Sequence, residues 1–192
     1  MCGQGLQDST VGIVGFGRIG QEVAIRLQPF KVKNFLYSGR SEKPGAKELG
    51  ALLVPLDELL RQSDFVIVCC ALTPETRGMF NDDLFSIMKR NAIFINVSRG
   101  AVVDQPALLR ALQEGKILAA GLDVMTPEPL PPSHPLLALP NCGEHSSLTC
   151  RSFSRTDYSL EGEQLLHSLL FDGLRREANK RHMCMCLWEM LA

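Results

Sequence analysis

"VGIVGFGRIGQEVAIRL", Val11 to Leu27, runs an apolar stretch into three spaced glycines and then into a helical pattern. Such a stretch is either a turn that cradles a phosphate or an ordinary strand–turn–helix, and the flanking sequence decides between them. From Thr10 to Val124 apolar runs alternate with helix-like segments. Thr10–Gly15 reads as strand, Arg18–Gln28 as helix and Asn34–Tyr37 as strand. "GAKELG" is a short helix candidate and "ALLV" a short strand, while "PLDELLRQ" is a helix with Pro55 near its start. "FVIVCC" is a buried strand, "NDDLFSIMKR" a helix capped by Asn81, and "AIFINV" another buried strand. "DQPALLRALQEGK" is a helix with Asp104 near its cap and Gly115 at its end, and "AAGLDV" is a further strand.

Continuous Val/Ile/Leu runs indicate strands covered on both faces. Their alternation with helices predicts an α/β fold, a doubly wound parallel sheet. The rhythm changes near Pro127, where "PEPLPPSHPLLALP" cannot continue a central strand. Beyond Cys142 it stops, although "LEGEQLLHSLLFDGL" has the pattern of one amphipathic helix. The expected organisation is a short N-terminal segment 1–8, a nucleotide-binding domain 9–142 and a divergent tail 143–192.

With 192 residues, 45% hydrophobic and 21% charged, the chain is long enough for one core and a small appendage. A net charge of -1 gives no reason to expect nucleic acid or an anionic membrane as partner. "MCGQGLQDST" has neither a basic nor an apolar leader segment. The longest apolar run, Phe65 to Leu72, is too short to span a bilayer. A cytoplasmic protein is therefore expected. Seven cysteines at irregular spacing, including Cys69, Cys70 and the "HMCMC" pair Cys184 and Cys186 after His182, form neither a disulfide framework nor a zinc module. They read as inert thiols, and no metal site is expected.

In Gly15-Phe16-Gly17-Arg18-Ile19-Gly20, Gly15 permits the tight turn and Gly17 lets a pyrophosphate approach the backbone. Gly20 lets the helix pack close to the strand. The helix start would present N–H groups, those of Arg18 and Ile19 among them, and its positive dipole end to the phosphates. Because the motif follows a strand, opens a helix and heads a run of βα units, dinucleotide binding is favoured over a purely structural turn. An NAD-selective site usually places an acid roughly 20 residues on, for the ribose 2′-hydroxyl. The sequence there is Tyr37-Ser38-Gly39-Arg40-Ser41, with no acid at that place. Arg40 with the hydroxyls of Ser38 and Ser41 suits a 2′-phosphate instead, so NADP(H) is expected ahead of NAD(H). The alternative is a solvated arginine in a turn.

Three further segments, "LTPETRGMFNDDLFSIMK", "INVSRGAVVDQPALLRAL" and "AAGLDVMTPEPLPPSHPLLALPN", join the glycine turn in a chain-long pattern. Together they resemble the nucleotide-binding domain of the D-isomer-specific 2-hydroxyacid dehydrogenases over about Ser9 to Cys142. Within that family the nearest resemblance is to the glyoxylate/hydroxypyruvate reductases. The resemblance implies a Rossmann-like domain and reduction of small 2-oxo acids to 2-hydroxy acids. It also implies that Arg99 holds the substrate carboxylate and polarises its ketone, a task suited to a planar guanidinium. Glu128 matches the carboxylate that orients the catalytic histidine, and Asp123 the aspartate near the nicotinamide carboxamide. Ala71, Leu72 and Val97 match positions lining the cofactor.

Two departures stand beside these matches. The family's proton donor is a histidine in a Pro-His-Ile-Gly-like segment, where this chain reads Gly143-Glu144-His145-Ser146-Ser147. His145 has the wrong context and is not assigned the role. Only Met1 to about Asp8 precede the first strand, so the family's N-terminal substrate domain is expected to be almost wholly absent and the homodimer interface of relatives incomplete. The chain thus resembles a truncated form, expected also to lack the last strand of its sheet and to expose apolar surface. Three functions follow as alternatives: an NADPH-dependent 2-oxo-acid reductase, an NADP(H)-binding module without turnover, or a fragment without independent activity.

Overall fold

β1 (Thr10–Val14) is buried from Val11 to Val14, as a central strand flanked on both faces requires. It leads through the glycine turn into α1 (Arg18–Leu27), which lays Gly20, Val23, Ala24 and Leu27 against the sheet. β2 (Asn34–Ser38), β3 (Ala51–Leu53) and α2 (Leu56–Gln62) follow, then β4 (Phe65–Val68), α3 (Asp82–Ile87) and β5 (Ile93–Asn96). α4 (Gln105–Gln113), β6 (Ala119–Leu122) and β7 (Cys142–Glu144) complete the computed structural model, which describes residues 5–144. The amphipathic segment "LEGEQLLHSLLFDGL", His145 and the cysteines of "HMCMC" lie outside the described residues.

The seven strands form one sheet in the order β3-β2-β1-β4-β5-β6-β7. Every neighbouring pair is parallel. Alternate residues of each strand feed two cores, one on each face. Val11, Ile13, Phe35, Tyr37 and Ile67 meet α1 on one side. Val14, Leu36, Val66, Val68 and Phe94 meet α2, α3 and α4 on the other, where Phe80 and Phe85 pack edge-on around Phe94. Helices on both faces make the sheet doubly wound.

The structure adds three things to the sequence reading. "GAKELG" is not an α-helix: Pro44–Ala46 form a single 3-10 turn, with Ala46 N–H donating to Lys43 O and Gly50 N–H to Lys47 O. A Pro-Gly pair ahead and a left-handed glycine at Gly50 (φ 65°) leave too few residues for helical bonds. Where the sheet was expected to lack its last strand, β7 pairs with β6 from Ala120–Cys142 to Leu122–Glu144. Three residues straight after a proline-rich loop carry no strand periodicity to be read. Finally, the outward faces of β5 and β6 are only half-buried at Ile93, Ile95, Ala119 and Gly121, so their apolar runs are fully covered on one side only.

Candidate functional site

In a parallel sheet every strand's C-terminal end lies at the same edge, so all five expected groups of site residues gather there. Gly15 through Gly20 leave β1, and Ser38, Arg40 and Ser41 leave β2. Ala71 and Leu72 follow β4, Val97 and Arg99 follow β5, and Asp123 and Glu128 follow β6. Between β1 and β4 the strand order reverses, which opens a crevice between the loops above it.

The glycine turn is built for close approach. Gly15 has φ 94°, and a Cβ there would lie 2.7 Å from the Cα and N of Cys70. Its N–H donates to Ser38 O at 2.9 Å, so the loops after β1, β2 and β4 converge on this one residue. A Cβ on Gly20 would lie 2.5 Å from Gly15 O, which is the tight helix–strand contact expected of it. Nothing stands within 4 Å of the Cβ position of Gly17, whose surface is open to the crevice. Gly17 is also the N-cap of α1 and offers no side-chain cap to the helix start. Arg18 and Ile19 project from that first turn into solvent. An open backbone at Gly17 under a helix N-terminus fits a dinucleotide pyrophosphate.

Beyond β2, Ser38 is half-buried and Gly39, Arg40 and Ser41 are exposed. Glu75, in the loop after β4, faces the same region. The Thr73 hydroxyl, its own backbone N–H and the Arg40 cation hold its carboxyl below the ordinary carboxylate range. That loop is tied by Thr76, whose hydroxyl donates to Ala71 O at 2.8 Å and accepts from Thr73 N–H at 2.8 Å. Ala71 is thereby fixed beside the crevice. Burial, with the neighbouring Cys70, pushes the Cys69 thiol up to about 12, and burial raises Cys70 as well. These two thiols stay protonated and unreactive at neutral pH.

The loop after β5 is held by a residue the sequence reading passed over. Asn96 is buried, its Oδ1 accepting from Ser98 N–H at 3.0 Å and from the Ser98 hydroxyl at 2.9 Å. Its Nδ2 donates to Arg99 O at 3.1 Å. Arg99 therefore leaves a locked turn, with its side chain exposed and one guanidinium N–H donating to Ser98 O at 2.7 Å. Gly100 passes so close to the loop after β6 that a Cβ would lie 2.1 Å from Met125 O. Gln105 ties the same two loops from α4: its Oε1 accepts from Thr126 N–H at 3.0 Å and its Nε2 lies 3.2 Å from His134 Nε2.

Asp123 continues the sheet ladder, its N–H donating to Asn96 O at 3.1 Å, and is half-buried. Glu128 is exposed. Among the described residues no hydrogen bond or ion pair joins Arg99 to Glu128, although Gly100 and Gln105 bring their loops into contact. The one histidine among them, His134, is taken up by Gln105 and by Leu136 N–H. No group of three or more potential metal ligands is found in this set, and no helix of it is long and apolar enough to cross a membrane.

The family model for the D-isomer specific 2-hydroxyacid dehydrogenase NAD binding domain matches residues 1–144. The chain is 60% identical over 143 residues to the glyoxylate reductase/hydroxypyruvate reductase of Mus musculus and 58% identical to that of Homo sapiens. Each match covers 74% of this chain and 44% of the relative, so the chain spans less than half the length of these curated relatives. Among solved structures it is similar to the TT0316 protein of Thermus thermophilus, with a TM-score of 0.71 and 44% identity over 86% of this chain and 50% of that one. It is also similar to a D-lactate dehydrogenase with NAD+ from Lactobacillus jensenii, at TM-score 0.68 and 27% identity over 73% of this chain and 46% of that one.

Proposed function

Because the chain belongs to the D-isomer specific 2-hydroxyacid dehydrogenases through their NAD-binding domain, we propose that it binds NADP(H) and serves the reduction of glyoxylate or hydroxypyruvate. The observation that carries this reading is the loop after β2, where exposed Arg40 and Ser41 stand in place of an acid at the edge of the glycine crevice. A carboxylate there would repel a 2′-phosphate, whereas a guanidinium and hydroxyls bind it. Gly15, Gly17 and Gly20 with the start of α1 would hold the pyrophosphate. Ala71, Leu72, Val97 and Asp123 would line the crevice toward the nicotinamide.

When bound, the cofactor would supply the hydride for the 2-oxo carbon. Arg99 would hold the substrate carboxylate and draw electron density from the ketone through the guanidinium N–H groups not given to Ser98 O. A proton must then reach the developing alkoxide, and Glu128 would orient a histidine that delivers it. A second reading, an NADP(H)-binding module without turnover, is favoured by one observation: the described histidine, His134, is already engaged in the loop it belongs to.

Fluorescence titration with NADPH and NADH, followed by NADPH oxidation in the presence of glyoxylate, tests both readings. NADPH should bind more tightly, and Arg40→Asp should reverse or erase the difference; equal curves for the unmodified chain would sink the cofactor assignment. With no proton donor identified among the described residues, turnover should fall about 10²–10⁴-fold below that of an intact site. Glyoxylate reduction at about 1–10³ s⁻¹, the ordinary enzyme range, would reject the second reading.

A further inference from the structure

Arg40 can select a cofactor only if its loop stands at a set distance from the glycine turn. The loop from Gly39 to Glu42 is exposed throughout, so no burial of its own holds it. Its two ends are fixed instead, and both trace back to the glycine turn. At the near end, Ser38 O accepts from Gly15 N–H at 2.9 Å. At the far end, Lys43 N–H donates to the Tyr37 hydroxyl at 3.1 Å. Tyr37 is 1% exposed, and its ring stacks on Phe16, inside the glycine motif, with centroids 4.4 Å apart and planes at 26°. Just past Lys43, a Cβ on Gly45 would lie 2.8 Å from Gln21 Oε1, so the loop then comes to rest on α1.

We propose that Tyr37 is a positioning residue for cofactor choice, its hydroxyl holding the Arg40–Ser41 loop in register with the pyrophosphate turn through Lys43 N–H. The inference rests on the NADP(H) reading above. On that reading Arg40 and Ser41 serve the 2′-phosphate, so loosening their loop should leave the rest of the dinucleotide bound as before. Without the hydroxyl the loop loses one of its two posts, and its ordering is charged to NADPH binding alone.

The test is Tyr37→Phe, which keeps the ring stack and deletes one oxygen, with NADPH and NADH affinities measured on the whole chain. Removal of one net hydrogen bond should weaken NADPH about three- to tenfold, with NADH unchanged. In an Arg40→Ala, Ser41→Ala background Tyr37→Phe should have no further effect, because the hydroxyl acts through the loop. A merely structural role would weaken both cofactors alike, and that result overturns the inference, as does an unchanged NADPH preference. If the unmodified chain shows no preference, the NADP(H) reading falls and the inference with it. Amide hydrogen exchange on the unmodified chain is a second measurement that needs no variant. Lys43 N–H should exchange more slowly than the amides of Arg40 and Ser41, and equal exchange overturns the anchor.

Discussion

Gly100 stands between Arg99 and the loop that carries Glu128, and its missing side chain sets how near the two can come. A Cβ added there would meet the Met125 carbonyl carbon at 2.3 Å and its oxygen at 2.1 Å, both backbone atoms that cannot rotate aside. Gly100→Ala should therefore push the two loops apart and destabilise the chain by about 1–3 kcal/mol. Gly39→Ala is the control, since nothing lies within 4 Å of its Cβ position. Urea unfolding of both variants checks the contrast, and equal midpoints would contradict it. Gly15, Gly17 and Gly20 were legible from the sequence because their spacing repeats a local requirement of one turn. Gly100, Asn96 and Gln105 were not, because each answers to a partner that only the folded sheet brings beside it.

Between elements, α3 and α4 are joined at the surface by Asp82 and Arg110, with Arg110 Nε donating to Asp82 Oδ1 at 3.1 Å. The Arg110 guanidinium lowers the Asp82 carboxyl from its ordinary 3.8. A carboxylate with a depressed folded pKa adds stability above its unfolded pKa and loses it as pH falls through the folded one. Asp82→Asn should melt earlier than the parent at neutral pH, by an amount that shrinks below pH 3.8 and vanishes once the parent's carboxyl is protonated. Part of the neutral-pH loss comes from the start of α3, where Asp82 also faces the helix dipole. A melting difference that persisted in strong acid would refute the assignment. Helix ends were readable to different degrees: Asn81 Oδ1 accepts from Leu84 N–H at 3.1 Å as its position predicts, whereas Asp104 makes no side-chain cap bond. Residue type names a cap position, but its rotamer is decided by tertiary neighbours. β7 shows the same limit, since it exists only because β6 offers an edge.

Across the whole molecule, the doubly wound order was legible from the alternation of apolar runs and helices, and the crevice follows from it. What periodicity did not reveal was the half-open side of β5 and β6, because an apolar run records what a strand can bury and not what lies over it. The crevice lies where β1 meets β4, and this junction has a consequence for how the chain folds. Thr10 N–H donates to Asp64 Oδ2 at 2.9 Å, and these two residues are 54 positions apart. Asp64 Oδ1 takes Lys89 Nζ at 2.8 Å, which draws the end of α3 to the same point. The strands on either side of the junction pair with nearer neighbours in sequence, so each half-sheet can collapse by itself. Joining the halves closes the longest loop, and its entropy is lost before the contacts repay it. The rate-limiting barrier should then lie at this seam, and Asp64→Ala should slow refolding far more than it quickens unfolding. A stopped-flow chevron with the change confined to the unfolding limb would place the barrier elsewhere. The seam that opens a nucleotide crevice in the native state is, on this account, the last place the nascent chain finds itself.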